Sequence, residues 1–221
     1  MKTSADRNGV RPPTRFPRLR AMLAARFEVA RFRGAPVFVH WSVVLAYPVA
    51  WTVDRSVANA LVAATLWLAL MLAHELGHAI VARRLGLRVA QIRINPAHGA
   101  CVVEQPPTET AAIALAWGGV AAQAVVLYAA GIVNGVLRLS LDSTPQLLRI
   151  ALCILIPVNL WIIFANLLPI PSLDGAVAWR FVPLVRARLA ARRLARARAE
   201  TVVDLGLRRI ARRAKPRADA R

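Results

Sequence analysis

The pentapeptide His74-Glu75-Leu76-Gly77-His78 lies near the end of an apolar run at residues 57–82. The run limits the fold, and the pentapeptide says what that fold must accommodate. No charge precedes Glu75 in the run, which is long enough to cross a bilayer as a helix. On a helix, His74 and His78 are one turn apart and share a face. Two imidazoles at that spacing can hold one zinc ion, and Glu75 beside them can take a proton from water. The plainer alternative is two helix histidines packed with a carboxylate. An ionisable cluster in an apolar segment is expensive unless something pairs with it, which a metal ion would do.

Composition excludes an ordinary soluble domain. The chain has 221 residues, is 57% hydrophobic with a mean hydropathy of +0.48, and carries a formal charge of +19. A membrane protein with basic cytoplasmic segments combines both properties. Two cysteines, Cys101 and Cys153, are too few for a disulfide scaffold. Cys153 falls in an apolar run and reads as a packing residue. Cys101 has no partner at metal-ligand spacing.

Apolar runs at 37–53, 57–82, 111–137 and 148–168 predict four spans in an all-α membrane bundle. The first run is short, and its His40-Trp41 reads as an interfacial anchor before a metal ligand. Residues 83–110 are polar by contrast. The imperfect alternation over 87–94, the turn signal Asn95-Pro96-Ala97-His98-Gly99 and the short run 100–103 predict a small hairpin at the cytoplasmic edge. His98 there reads as a solvated loop histidine. In the third run, Gly118-Gly119 permits close helix packing and Gln123 needs a partner inside the bundle. After the fourth run, Pro169-Ile170-Pro171 cannot continue a helix. Unwound backbone at membrane depth must be protein-covered or line a watery cavity, and Asp174 would sit in such a place.

The flanks are basic. Residues 1–33 carry nine Lys or Arg and no uninterrupted apolar core, which argues against a cleavable signal peptide. Leu23, Phe27 and Ala30 fall at i, i+4 and i+7, predicting a short amphipathic helix on anionic headgroups; a disordered arm is the alternative over 1–20. Residues 180–221 hold thirteen Arg and one Lys, with Val203, Leu207 and Ile210 as a thin apolar stripe. No aromatic-interleaved basic motif is present, so no nucleic acid is expected as a partner, and a lipid-facing tail is the simpler reading. The chain thus divides into an arm (1–33), a membrane core (34–179) and a tail (180–221).

Let each run cross once with the N-terminus inside. Then 27 of the 30 Lys and Arg are cytoplasmic, and only Arg55, Arg138 and Arg149 face out. Both termini are inside, and residues 54–56 and 138–147 are outside. The second and fourth spans then run toward the cytoplasm together, which brings Asp174 to the side of His74 and His78. Three protein ligands and an open position describe a catalytic zinc, whereas structural sites have four.

With HELGH on an apolar helix and Asn166-Leu167-Leu168-Pro169-Ile170-Pro171-Ser172-Leu173-Asp174-Gly175 about ninety residues later, residues 34–175 resemble the site-2 protease family of intramembrane zinc metalloproteases. That family pairs H-E-x-x-H with N-x-x-P-x-P-x-L-D-G. The entry Gly34-Ala35-Pro36-Val37-Phe38-Val39-His40-Trp41-Ser42 is similar to its first core helix. The resemblance implies one zinc per chain on His74, His78 and Asp174, Glu75 as the catalytic base, and substrate contacts at Asn166 and Gly99. It implies cleavage in or near the transmembrane helix of a membrane-protein substrate, within a prokaryotic-type inner membrane, by a compact member without PDZ or CBS domains. The chain departs from the family where Gly-Pro and then Asn are usual, having Gly119-Val120 and Gln123. It has His98-Gly99 for a Gly-Gly turn, and Ser172 and Ala176 for Pro and Gly.

Two other functions compete. A non-proteolytic zinc carrier or inactive scaffold would use the same ligands. A carrier wants polar groups along a path, and the spans offer few: Asn59, Gln123 and Asn159. A nucleic-acid-binding membrane protein rests only on the arginine tail.

Overall fold

The computed structural model describes residues 25–136 and 144–214. Arg26–Phe32 (β1) and Ala35–His40 (β2) form an antiparallel pair across the link Arg33-Gly34. Both linking residues have positive φ, 47° and 89°, as a two-residue hairpin turn of the primed type requires. β2 pairs in parallel with Val89–Ile94 (β3), and β3 pairs antiparallel with Gly99–Val103 (β4). The sheet order is β1-β2-β3-β4, with Ala35, Val37, Val89, Ile92 and Ile94 buried.

This sheet corrects two expectations. Residues 26–32 are a strand, not part of a surface helix; Leu23 lies outside the described residues. The tight turn at 33–34 folds the segment back on β2, where its backbone groups find ladder partners. The expected hairpin, β3 and β4, is half of a larger sheet. The first apolar run is likewise not one span. Val37, Phe38 and Val39 are β-branched or aromatic and fill the ladder between β1 and β3. A 3₁₀ turn at Trp41–Leu45 and a short helix, Ala46–Asp54 (α1), follow. His40 caps that turn, its Nδ1 accepting a hydrogen bond from the Ser42 backbone N–H at 3.2 Å.

Three helices are long and apolar enough to cross a membrane: Val57–Arg84 (α2), Glu109–Val136 (α3) and Gln146–Asn166 (α4). The first expected span is represented by the shorter apolar stretch Trp41–Val53. Ser56 starts α2 by accepting from the Asn59 N–H at 3.4 Å. α4 contains a π-helical turn, Ile154–Val158, around Pro157. Proline removes one ladder N–H, and a locally widened turn accommodates the gap. Gly175–Ala178 (α5) is a single turn, and the arginine-rich tail forms the long helix Phe181–Ala214 (α6).

The described chain falls into two compact units. One comprises residues up to 105 and 118–163; the other comprises 106–117 and residues from 164 on. In the first, α2 packs against α1, β3, β4 and the first half of α4. In the second, Trp117, Trp179 and Phe181 form an aromatic cluster with ring centroids 6.0–6.1 Å apart.

Candidate metal centre

The buried face of α2 carries His74, Glu75, Gly77 and His78 among Leu70, Met71, Ala79 and Ala82. What lies against that face follows from one close approach. A Cβ on Gly77 would collide with the Gly118 carbonyl oxygen and lie 2.8 Å from the Ala122 Cβ. A Cβ on Gly118 would lie 2.8 Å from the Gly77 oxygen. The backbones of α2 and α3 therefore touch at Gly77 and Gly118, which only small residues allow.

That crossing brings the next residues of α3 to the imidazoles. A Cβ on Gly119 would lie 2.5 Å from His74 Cε1 and from His78 Nε2. One turn on, Gln123 Oε1 is 3.0 Å from His74 Nδ1, and Gln123 is fully buried. An amide oxygen can only accept, so His74 Nδ1 carries the proton and Nε2 presents its lone pair. His74 Nε2 faces His78 Nε2 at 3.0 Å.

The donors fit zinc. Tetrahedral bonds of about 2.0–2.1 Å put two ligand nitrogens roughly 3.3 Å apart, within a few tenths of the separation here. His74 and His78 each offer a ring nitrogen from one face of α2. Asp174, half-buried, lies in the other compact unit. His98 pairs with the Asn95 side-chain amide at 3.2 Å in an exposed turn. Burial, and secondarily the Glu75 carboxylate, pushes the Cys101 thiol up to about 12, so it stays protonated at neutral pH.

Asp174 sits in a backbone loop closed on itself. Its carbonyl accepts from the N–H groups of Val177 and Ala178 at 3.0 and 2.8 Å. Trp179 Nε1 donates to the Leu167 carbonyl at 2.6 Å, and Trp117 Nε1 to the Ala178 carbonyl at 3.3 Å. Asn166, half-buried, is the last residue of α4.

Glu75 is buried against β4. A Cβ on Gly99 would collide with Glu75 Oε1 and lie 2.5 Å from its Cγ. Gly99 thus leaves the room that the Glu75 carboxyl occupies. The turn before it is fixed by Trp67 Nε1 donating to the Pro96 carbonyl at 2.8 Å and by the Asn95 N–H donating to the His98 carbonyl at 2.9 Å.

Two site residues escaped sequence reasoning. Gly119 and Gln123 read from the sequence as packing and bundle residues and as departures from the family pattern, not as neighbours of the two histidines. Their i, i+4 spacing on an apolar helix was the available signal.

The profile of the "Peptidase M50B-like" family matches residues 40–206. The protein named "Putative zinc metalloprotease Rip3" in two strains of Mycobacterium tuberculosis, Erdman and H37Rv, is 32% identical over 205 residues, covering 81% of this chain and 50% of its own length. The chain therefore spans about half the length of these relatives. The solved structure of the site-2 protease from Methanocaldococcus jannaschii superposes with a TM-score of 0.55 at 22% identity, over 72% of this chain and 71% of that one. That likeness is one of fold, and with three apolar helices it describes a multi-pass membrane protein. On the profile match across most of its length, the chain belongs to the peptidase M50B-like family.

Proposed function

We propose that the protein is an intramembrane zinc endopeptidase that cuts a peptide bond in or near the transmembrane helix of a membrane-protein substrate. The observation that carries this reading is the pair of Nε2 atoms of His74 and His78, 3.0 Å apart beside a buried glutamate. His74, His78 and Asp174 hold one zinc ion per chain. When bound, zinc lowers the pKa of water and polarises a carbonyl. Glu75 accepts the proton of the attacking water and delivers it to the leaving amine. Burial of Glu75 keeps bulk water from competing for that proton.

A substrate helix must unwind before its carbonyl is exposed. β4 is an outer strand of the sheet, and an extended segment added to its free edge would pass Gly99 and hence Glu75. Gly99 and Asn166 are the backbone and side-chain contacts for that segment. An apolar cavity of about 610 Å³, lined by Val49, Trp67, Pro96, Ala97 and Ile154 among others, adjoins the β3–β4 turn and suits a substrate's apolar side chains.

Two experiments test the reading. Purified protein is expected to hold one zinc per chain, and Asp174→Ala to lose most of it while wild type cleaves a single-span substrate. Full zinc retention in Asp174→Ala would remove Asp174 from the ligand set. Wild type that cleaves nothing but moves zinc across vesicles would make the protein a carrier instead. For orientation, we infer an inner-membrane protein with both termini cytoplasmic and α6 beside anionic headgroups, supported by the charge asymmetry. Reporter fusions are expected to place 54–56 and 138–147 outside and both ends inside; an outward C-terminus would overturn this.

A further inference from the structure

The geometry points to Gln123 as the positioning residue that sets the tautomer and ring orientation of His74. The inference rests on the zinc reading above and deepens it. Three observations carry it. Gln123 Oε1 is 3.0 Å from His74 Nδ1, and both residues are buried. A neutral imidazole has one ring proton, so an acceptor at Nδ1 commits Nε2 to its lone-pair form. That Nε2 faces His78 Nε2 at 3.0 Å, which places it where a shared metal would be.

Gln123 is itself held. Asn159 Nδ2 donates to the Gln123 backbone carbonyl at 3.0 Å, and Asn159 is also fully buried. Asn159 directly follows the π-helical turn Ile154–Val158. A chain of two hydrogen bonds thus runs from α4 through α3 to the ligand on α2. Outer partners of metal-bound histidines fix ring orientation and raise ligand basicity, and their loss typically weakens metal binding by about 10–100-fold. The Gln123 side chain therefore acts on zinc affinity through His74 and touches no reacting atom. Because Asn159 grips the backbone of Gln123, replacing the side chain leaves that bond in place.

The test uses the full-length protein in detergent, with zinc affinity read by competition against a chromophoric chelator. The cobalt-substituted protein supplies an absorption spectrum of the ligand field. Gln123→Met has nearly the same shape and no acceptor. It is expected to keep its circular dichroism, to bind zinc about 10–100-fold more weakly and to shift the cobalt bands. Gln123→Glu restores an acceptor and is expected to bind within about threefold of wild type. A folded Gln123→Met with wild-type affinity and spectrum would overturn the inference while the zinc reading stands. If Gln123→Met does not fold, a tenfold loss in Gln123→Glu would overturn it. Wild type that binds no zinc would sink the zinc reading and this inference with it.

Discussion

Glu75→Gln is expected to abolish cleavage while zinc stays bound and the membrane fold is unchanged. Gln preserves the shape of Glu and can still hydrogen-bond water, but its amide accepts no proton at neutral pH. His74 and His78 are untouched, and Glu75 is not in the ligand group, so occupancy persists. Packing also persists, because the side chain beside Gly99 keeps its volume. General base catalysis is typically worth about 10²–10⁴-fold, and the same group here also protonates the leaving amine. The loss should reach at least the lower of those values. The measurement is product on a gel after co-expression of a single-span substrate with wild type or variant, beside metal analysis of both proteins. Equal cleavage would mean that Glu75 is not the base. Loss of zinc together with activity would mean that its role is structural.

The parts of this site legible in the sequence are those fixed by local periodicity. His74 and His78 are i and i+4 on a run too long and apolar to be anything but a helix. The proline pair at 169 and 171 announced that α4 stops before Asp174. What was not legible depends on contacts between distant segments. β1 was read as helical because Leu23, Phe27 and Ala30 fit a 3.6-residue period in a short window. The register shift between Glu28 and Ala30 breaks the alternation that would have revealed a strand. The run 37–53 has no charged residue and no glycine, and its one proline, Pro48, lies past the change from strand to helix at His40 and Trp41, so no strong breaker marks it. Its strand half exists because β1 and β3 offer ladder partners. The same holds at the metal centre. That Gln123 meets His74, and not some other polar group, follows from where Gly77 and Gly118 let α2 and α3 cross.

Gly119→Ala is expected to remove zinc while leaving the helices intact. The added methyl would stand 2.5 Å from His74 Cε1 and His78 Nε2 and 2.6 Å from His74 Nε2. Carbon cannot approach that closely, so both rings must turn away, and the two nitrogens that face each other are the ones displaced. Turning His74 also breaks its bond to Gln123, since Nδ1 and Nε2 move together on one rigid ring. The backbone has no reason to fail, because Ala is a better helix former than Gly by up to about 1 kcal/mol. Gly131 and Gly135 lie further along the same helix, with nothing within 4 Å of an added Cβ. Alanine at either supplies the control: the same gain in helix propensity with no steric contact, and hence full zinc and full cleavage. The measurement is zinc per chain together with a circular-dichroism melt for all three variants. Gly119→Ala should fall at least about tenfold in zinc affinity, the lower bound for disturbing even an outer partner of a ligating histidine. Wild-type zinc content in Gly119→Ala would show that the rings have room to spare, and the close seating of α3 beneath the two histidines would then not be what shapes the site.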